Sequence, residues 1–267
     1  MRASGTGTHD DAGSLAINSR EGRSVVVQLR LPSSISEAQR CLAEGAVPVG
    51  GATLVWAGWQ RDGFPEQAVS LRNVPEAGTV GPEELGGAVL LNRVDATVPE
   101  ALHRAASGVG TGAVRRSATV GGNIVGSTLR CLLPAALVLD ARATVLEPDS
   151  VYETDLTELL AKRHVLLALR WRAPLVSGYR KLAGEAGGPP PLVVAAAVHA
   201  DGDSPRAVRV AVRDGYEVFS ESTPWDPDPE QVMRALADTD LGALPAVARD
   251  AVHARITDVV ARAAAAG

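Results

Sequence analysis

Two Gly-Gly pairs, each placed directly after a short apolar run, constrain the fold of this chain more than any other feature. The first stands in VPVGGATLVW (47–56) and the second in RRSATVGGNIVG (115–126). A backbone without Cβ atoms adopts positive φ easily and lets successive N–H groups point into one concavity, where they can hold phosphate oxygens. Either pair alone is also typical of an ordinary turn, so the surrounding segments decide between the two interpretations.

The segments around the first pair predict a β-α-β unit. Residues 24–32 are rich in β-branched side chains and end at a proline, as a strand does. Ser34 and Glu37 have the spacing of a capping box, which predicts a helix ending near Gly45. Residues 47–49 then form a second short strand, and the first glycine pair follows its end.

Strands and helices alternate through the rest of the chain. Thr97 and Glu100 repeat the capping-box spacing and predict a helix that ends near Ala106. The later elements are a helix over 131–141, strands over 143–147 and 164–172, a hairpin of 192–199 with 206–213, and a closing helix over 246–265. The segment 218–225 receives no prediction.

This order predicts an α/β (α+β) protein with several parts. Residues 1–22 are polar and rich in glycine and serine, which is typical of a disordered tail. The predicted divisions are that tail, an N-terminal α/β subdomain over 23–77, a second α/β subdomain over 78–175, and a C-terminal subdomain over 176–267.

Composition and charge exclude several classes of protein. The net charge is −5 and no polybasic run offsets it, which argues against a nucleic-acid surface. The longest apolar runs fall well short of the roughly 20 residues that a membrane-spanning helix needs. Cys41 and Cys131 stand alone and the histidines lack ligand spacing, so we expect no disulfide, no metal site and a cytoplasmic location.

The ordered combination of VPVGGATL, ATVGGNI, a helix ending in LDA, and GYRKL before a hairpin resembles one family. It is similar to the FAD-binding (medium) subunit or domain of the molybdenum hydroxylases, as in the carbon monoxide dehydrogenase medium subunit and the xanthine dehydrogenase FAD domain. The resemblance implies a divergent member with the two-subdomain FAD-binding fold of the PCMH/CO-dehydrogenase flavoprotein type. A C-terminal β-hairpin-and-helices subdomain completes that fold.

The resemblance also implies FAD as the cofactor, with both glycine loops around its diphosphate. Lys181 falls where the family has a lysine near the flavin ring, so Lys181 and its neighbour Tyr179 are the candidate catalytic residues, Tyr179 as the lining of a pocket. A solvated surface position is the alternative for Lys181. The implied cofactor-binding residues are Gly50, Gly51, Ala52, Thr53, Leu54, Thr119, Gly121, Gly122, Asn123, Ile124 and Lys181.

Two pairs of side chains beside the loops have alternative interpretations. Arg115 and Arg116 precede the second glycine pair and either contact phosphate or form a solvated helix end. Trp56 and Trp59 share one face of a helix that follows the first pair. Packing in the core is the expected role of both tryptophans, and a wall of the substrate or flavin site is the alternative.

The chain departs from the family pattern in ways that leave two enzyme functions open. Ala52 replaces a hydroxyl residue, and GSTLRCLLP offers Arg130 and Cys131 where the family has an Asp before the proline. One function is an FAD-binding oxidoreductase component that takes electrons from iron–sulfur and molybdopterin subunits. The other is a stand-alone tailoring enzyme of secondary metabolism acting on a small organic substrate, with FAD as oxidant or with flavin binding lost and the pocket reused for a reaction such as cyclisation. A non-enzymatic scaffold is the third possibility.

Overall fold

A computed structural model describes residues 13–18, 24–184, 187–201 and 204–266. The helices in these ranges are α1 (Ile35–Ala43), α2 (Val55–Asp62), α3 (Glu100–Ser107), α4 (Gly112–Arg115), α5 (Leu133–Val138), α6 (Leu156–Lys162), α7 (Pro229–Leu236) and α8 (Ala246–Ala265). The strands are β1 (Gly13–Asn18), β2 (Ser24–Arg30), β3 (Val47–Pro48), β4 (Gln67–Val69), β5 (Glu84–Gly86), β6 (Arg142–Leu146), β7 (Val151–Thr154), β8 (Val165–Arg170), β9 (Val176–Lys181), β10 (Val193–Asp201), β11 (Ser204–Asp214) and β12 (Glu217–Pro224).

The strands form three four-stranded sheets that follow one another along the chain. The N-terminal sheet has the order β1-β2-β4-β3, the middle sheet β5-β8-β6-β7 and the C-terminal sheet β12-β11-β10-β9. In the N-terminal sheet β2 and β3 both run parallel to β4, so α1 is the crossover that the β-α-β pattern predicts. The other two sheets are antiparallel.

Helix α1 begins and ends as its sequence predicts. Ser34 accepts a hydrogen bond from the Glu37 N–H at 3.3 Å, and Gly45 adopts φ +84° just after the helix. Ala38 and Cys41 lie on the buried face, so the amphipathic pattern orients the helix on its sheet. All of these determinants are local.

The predicted disordered tail is wrong over residues 13–18. These residues form β1, which pairs antiparallel with β2 from Gly13↔Leu29 to Asn18↔Ser24. The short apolar run LAI (15–17) suits a strand, and its pairing covers what would otherwise be an open edge of β2. Residues 1–12 and 19–22 of that prediction lie outside the described residues.

Helix α3 is capped by a residue that the sequence pattern does not identify. Its N-cap is Pro99, and the Ala101 N–H donates to the Ser177 hydroxyl of β9 at 3.1 Å. Thr97 instead donates its own N–H to Asp95, so the predicted capping box at Thr97 and Glu100 is wrong. A hydroxyl from a distant strand takes the place of the local one.

The C-terminal sheet separates two hydrophobic cores because its side chains alternate between its faces. Val193 and Ala195 of β10 pack in the larger core with α3, α5 and the middle sheet. Val194 and Ala196 pack in the other core against α7 and α8. Strand β12, for which the sequence gives no prediction, extends this sheet by pairing with β11. Among the described helices, none is both long and apolar enough to cross a membrane.

Candidate functional site

A cavity of about 1220 Å³ lies beside the carboxyl ends of β3 and β4. Both glycine loops line it, together with the first residues of β8 from the middle sheet and Lys181 at the end of β9. All three sheets therefore contribute to its wall. Its volume exceeds the roughly 300–1,000 Å³ that is usual for small-molecule and cofactor sites.

The first glycine loop supplies backbone donors that the protein itself does not use. The Val49 N–H donates to Val69 in β4, and beyond it, within the described part of the chain, the N–H groups of residues 50–54 have no acceptor. Ala52 adopts φ +56°, a left-handed conformation that brings successive N–H groups together. The loop then enters α2, whose positive dipole end adds to the attraction for an anion.

The two glycine loops are in direct contact. A Cβ atom at Gly51 would overlap the Ser117 carbonyl oxygen, and one at Gly50 would overlap the Thr119 hydroxyl. Neither glycine has a positive φ, so a turn does not explain the pair. The pair is required because the backbones of two loops approach each other closely. The cavity wall is continuous across this contact.

The second glycine loop differs from the prediction because its N–H groups are occupied. Gly121 donates to the Gly87 carbonyl at 2.8 Å and Gly122 to the Thr119 hydroxyl at 3.1 Å. The Asn123 N–H donates to the Thr119 carbonyl at 2.9 Å. The second loop therefore supports the first rather than adding an equal set of donors. It still forms part of the cavity wall.

Asn123 and Ile124 have mainly structural surroundings. The Asn123 side-chain oxygen accepts from the Leu132 N–H at 2.9 Å, which fixes a short π-helix (Gly122–Gly126) against the start of α5. Ile124 is fully buried in the larger core and does not line the cavity. The side chain of Ile124 therefore faces the core, and its predicted role in cofactor binding stays a prediction for its main chain.

The charged side chains at the cavity are almost all cationic. Arg72, Arg116, Arg163 and Lys181 line it, and no Asp or Glu does so among the described residues. Arg72 lies three residues after β4, and Arg116 directly precedes Ser117, whose carbonyl oxygen meets the first loop at Gly51, so both arginines belong to segments next to that loop. Arg115 instead donates to the Val109 and Gly110 carbonyls and has a structural role. In a chain of net charge −5, this cavity is a local site for anions.

Lys181 and Tyr179 are separated by the structure. Lys181 lies at the cavity and donates to the Gly108 carbonyl at 2.9 Å. Tyr179 is buried in the larger core and does not line the cavity, so its predicted place in the pocket is wrong. Burial raises the pKa of the Tyr179 phenol far above its usual range, so it remains protonated. The alternation along β9 puts both side chains on one face of the sheet, but only the strand end reaches the cavity.

An aromatic cluster made of Trp56, Trp59 and Phe64 forms one wall of the cavity. The Phe64 ring lies 5.4 Å from Trp56 and 6.1 Å from Trp59 between centroids, in edge-to-face geometry. Helix α2, which carries both tryptophans, has no buried residue. Core packing, the expected role of the tryptophans, is therefore wrong, and the alternative of a site wall describes their position.

A polar cluster of Glu147, Tyr152 and His164, which the sequence does not indicate, lies at the start of β8. His164 lines the cavity, with Nδ1 3.0 Å from a Glu147 oxygen and Nε2 3.0 Å from the Tyr152 hydroxyl. Tyr152 also donates to Glu147 at 3.1 Å, and burial, with Glu147 as the next cause, raises the pKa of its phenol. The β6–β7 hairpin and the pairing of β6 with β8 bring these three separated residues together. Both ring nitrogens of His164 are engaged, so this cluster fixes the wall.

The residues present fit a diphosphate-containing cofactor. The unpaired N–H groups of residues 50–54 can donate to phosphate oxygens, and the arginines that line the cavity offset the phosphate charge. The volume of the cavity is large enough for a dinucleotide. None of the described lining residues carries a carboxylate that would repel a diphosphate. The site is therefore suited to bind an organic diphosphate.

Comparison with solved structures identifies proteins of the same fold. Quinoline 2-oxidoreductase from Pseudomonas putida 86 has the same fold, with a TM-score of 0.63 and 19% identity over 89% of this chain and 96% of the other. Carbon monoxide dehydrogenase from Oligotropha carboxidovorans has a TM-score of 0.64 and 18% identity over 90% of this chain and 98% of the other. Carbon monoxide dehydrogenase from Hydrogenophaga pseudoflava has a TM-score of 0.61 and 17% identity over 89% of this chain and 96% of the other. The predicted fold class is confirmed. A search of curated proteins returned no match.

The sequence itself supports a closer relation than the fold alone. Residues 25–168 match the family described as the FAD binding domain in molybdopterin dehydrogenase. The match includes both glycine loops and ends within β8, and it covers more than half of the chain. The chain therefore belongs to the family of FAD binding domains in molybdopterin dehydrogenases, for which FAD is the cofactor.

Proposed function

We propose that this protein is the FAD-binding component of an oxidoreductase and that it holds FAD in the cavity between its sheets. The observation that carries the proposal is the run of N–H groups at residues 50–54, which have no acceptor among the described residues and share the cavity with Arg72 and Arg116. FAD supplies the electron transfer, and the protein positions it and adjusts its charge.

Each part of the site then has a role. The first loop donates to the diphosphate, and the two arginines neutralise part of its charge. The contact of Gly51 with Ser117 keeps the first loop in place before the cofactor arrives, so less order is lost on binding. By the family resemblance Lys181 lies near the flavin ring, where its ammonium would favour the anionic reduced form.

The electron partners follow from the family. We infer that iron–sulfur and molybdopterin subunits deliver electrons to this chain and that a small acceptor removes them. The matched chains of quinoline 2-oxidoreductase and carbon monoxide dehydrogenase have nearly the same extent as this one, which supports a comparable component role. A small organic substrate that gives its electrons directly to the flavin is the alternative electron donor in the same proposal.

The proposal is tested by the absorbance spectrum of the purified protein and by identification of the released cofactor. We expect the two flavin bands, or their appearance and a rise in Tm when FAD is added to the apoprotein. A Gly51→Ala variant should lose this binding, whereas Gly58→Ala, where a Cβ meets nothing within 4 Å, should retain it. A protein that stays colourless and does not respond to added FAD would contradict the proposal.

A second candidate is a stand-alone tailoring enzyme on the same fold. Two observations favour it: the occupied N–H groups of the second loop, and the lack of a carboxylate where Arg130 and Cys131 stand. Such an enzyme would convert an organic substrate without partner subunits, with or without flavin. Turnover by the isolated chain would favour it, and reduction of bound FAD only in the presence of an iron–sulfur partner would favour the first candidate.

A further inference from the structure

We propose that the aromatic cluster is the subsite for an organic substrate, a planar and largely apolar molecule that carries an anionic group such as a carboxylate. The proposal rests on the proposed function, since it assigns the first glycine loop to the FAD diphosphate and leaves the aromatic wall to the substrate. The cluster consists of Trp56, Trp59 and Phe64.

A large share of the tryptophan and phenylalanine residues of this chain lies in the aromatic cluster. The sequence contains four tryptophans and two phenylalanines, and three of these six side chains line this one cavity. Gly63 turns the chain with φ +103° directly after α2 and returns Phe64 to the two tryptophans. The positions of these rings are therefore set by a specific local turn.

The cluster does not contribute to a hydrophobic core. None of its three members belongs to the buried clusters formed by the described residues, and α2 buries no residue at all. Large aromatic side chains that line a cavity without filling a core offer their faces to a ligand. Phe64 meets both indoles edge to face, so the three rings hold one another in place at the cavity wall.

The charge of the cavity indicates the second feature of the substrate. Beyond the arginines beside the first loop, Arg163 and Lys181 also line the cavity. Arg163 is exposed with φ +54° at the end of α6 and has no carboxylate partner among the described residues. With no acidic side chain in the described lining, an anionic substrate group is attracted and a cationic one is repelled.

The aromatic wall continues the cavity beyond the loop assigned to the diphosphate. Trp56 and Trp59 stand on the helix that this loop enters, and Phe64 follows that helix after one glycine. A substrate against α2 would therefore lie beside the cofactor in the same enclosure. This arrangement suits a chain that acts on an organic molecule.

The test uses anilinonaphthalene sulfonate, a planar apolar anion, and its uncharged analogue phenylnaphthylamine. We expect saturable binding of the sulfonate to the full chain, read by energy transfer from tryptophan and by calorimetric stoichiometry. Trp56→Ala and Trp59→Ala should each weaken it about tenfold, and Trp56→Phe should restore most of the affinity. Arg163→Gln should weaken the sulfonate more than the uncharged analogue.

The control variant is Trp225→Phe, since Trp225 packs in the C-terminal core away from the cavity. It should leave probe affinity unchanged, and thermal melts of every variant should confirm folding. The proposal would be overturned if probe affinity were the same in both tryptophan variants as in the original protein. Competitive displacement of the probe by FAD would also overturn it. If neither the original protein nor any variant binds FAD while probe affinity still depends on Trp56 and Trp59, the proposed function is wrong and the substrate subsite is supported.

Discussion

At Gly50 and Gly51 the missing side chains allow loops from two different sheets to touch. The glycines meet Ser117 and Thr119, and neither has the positive φ that would mark an ordinary turn. The sequence pattern predicted the loops as a pair around one site, and both line the same cavity. The pattern did not predict that the second loop would use its own donors, because one of those bonds depends on Gly87 in a distant segment and the others on the local conformation at Thr119.

We expect Gly51→Ala to lower the free energy of unfolding by about 1–3 kcal/mol, because its Cβ would overlap the backbone of Ser117. Gly58→Ala is the matched control within α2 and should be neutral or stabilising by up to about 1 kcal/mol. Urea denaturation measures both changes. Equal stability of the two variants would show that the loops do not rely on their close contact.

Arg213 is a buried cation that supports the cavity wall at Leu129. It is 1% exposed and donates to the Leu129 carbonyl at 3.1 Å and to the Pro191 carbonyl at 2.6 Å. No carboxylate among the described residues pairs with it. Leu129 lines the cavity, so this guanidinium joins the C-terminal sheet to the site.

We expect Arg213→Leu to destabilise the protein by about 2–4 kcal/mol, since two part-buried carbonyl groups lose a charged donor. Arg209→Leu on the same strand removes only a partly exposed ion pair with Asp140 and should cost less than about 1 kcal/mol. Chemical denaturation of the two variants gives the comparison. A smaller effect at Arg213 than at Arg209 would contradict this assignment.

Among the elements, α1 has a cap that the local sequence predicts, whereas α3 has a cap that it does not. Helix α1 is capped by Ser34, three residues from its partner Glu37, and its start and end were predicted. Helix α3 receives its cap from Ser177, which lies 76 residues away and belongs to another sheet. Strand β12 was missed because its side chains alternate poorly between polar and apolar, and its pairing with β11 decides its conformation.

The cap of α3 can be tested directly. We expect Ser177→Ala to lower the free energy of unfolding by about 1 kcal/mol, because the buried Ala101 N–H loses its acceptor. Thr97→Ala, at the position that the sequence pattern favours, should change it by less than about 0.5 kcal/mol, since Thr97 lies outside the helix end. Thermal or urea unfolding measures both changes. A larger loss of stability in Thr97→Ala than in Ser177→Ala would show that the helix is capped locally.

At the scale of the whole molecule, the site is formed where three sheets meet. Glycine loops are recognisable along the chain, so their residues were named before the structure. Arg72, Arg163 and His164 were not, because only the packing of separate sheets brings them to the cavity. Trp56 and Trp59 were placed correctly on one helical face, but a sequence alone does not show whether that face meets a core or a cavity.

The stability of the whole molecule should depend on pH through His199, which joins β10 to the end of α5. Its Nε2 lies 2.7 Å from the Val138 carbonyl, and burial lowers the pKa of its imidazole below the ordinary 6.5. As the pH falls through that ordinary value, the unfolded chain takes up a proton that the folded chain resists, so we expect the free energy of unfolding to fall. Below the folded pKa this contribution levels off.

Urea unfolding between about pH 5 and pH 8 measures this dependence. His199→Gln cannot titrate, so its stability should vary less over the same interval even if it is lower throughout. An identical slope in the variant and the original protein would assign the pH dependence to other groups.

The contact of Gly50 with the Thr119 hydroxyl has a consequence for the history of this family. A relative that acquires a side chain at position 50 must shorten the residue at position 119 or move the second loop. Substitutions at these two positions should therefore covary, although they are far apart in the sequence and belong to different loops. Covariation of this pair across relatives would mark the lineages in which the junction of the two loops has been retained.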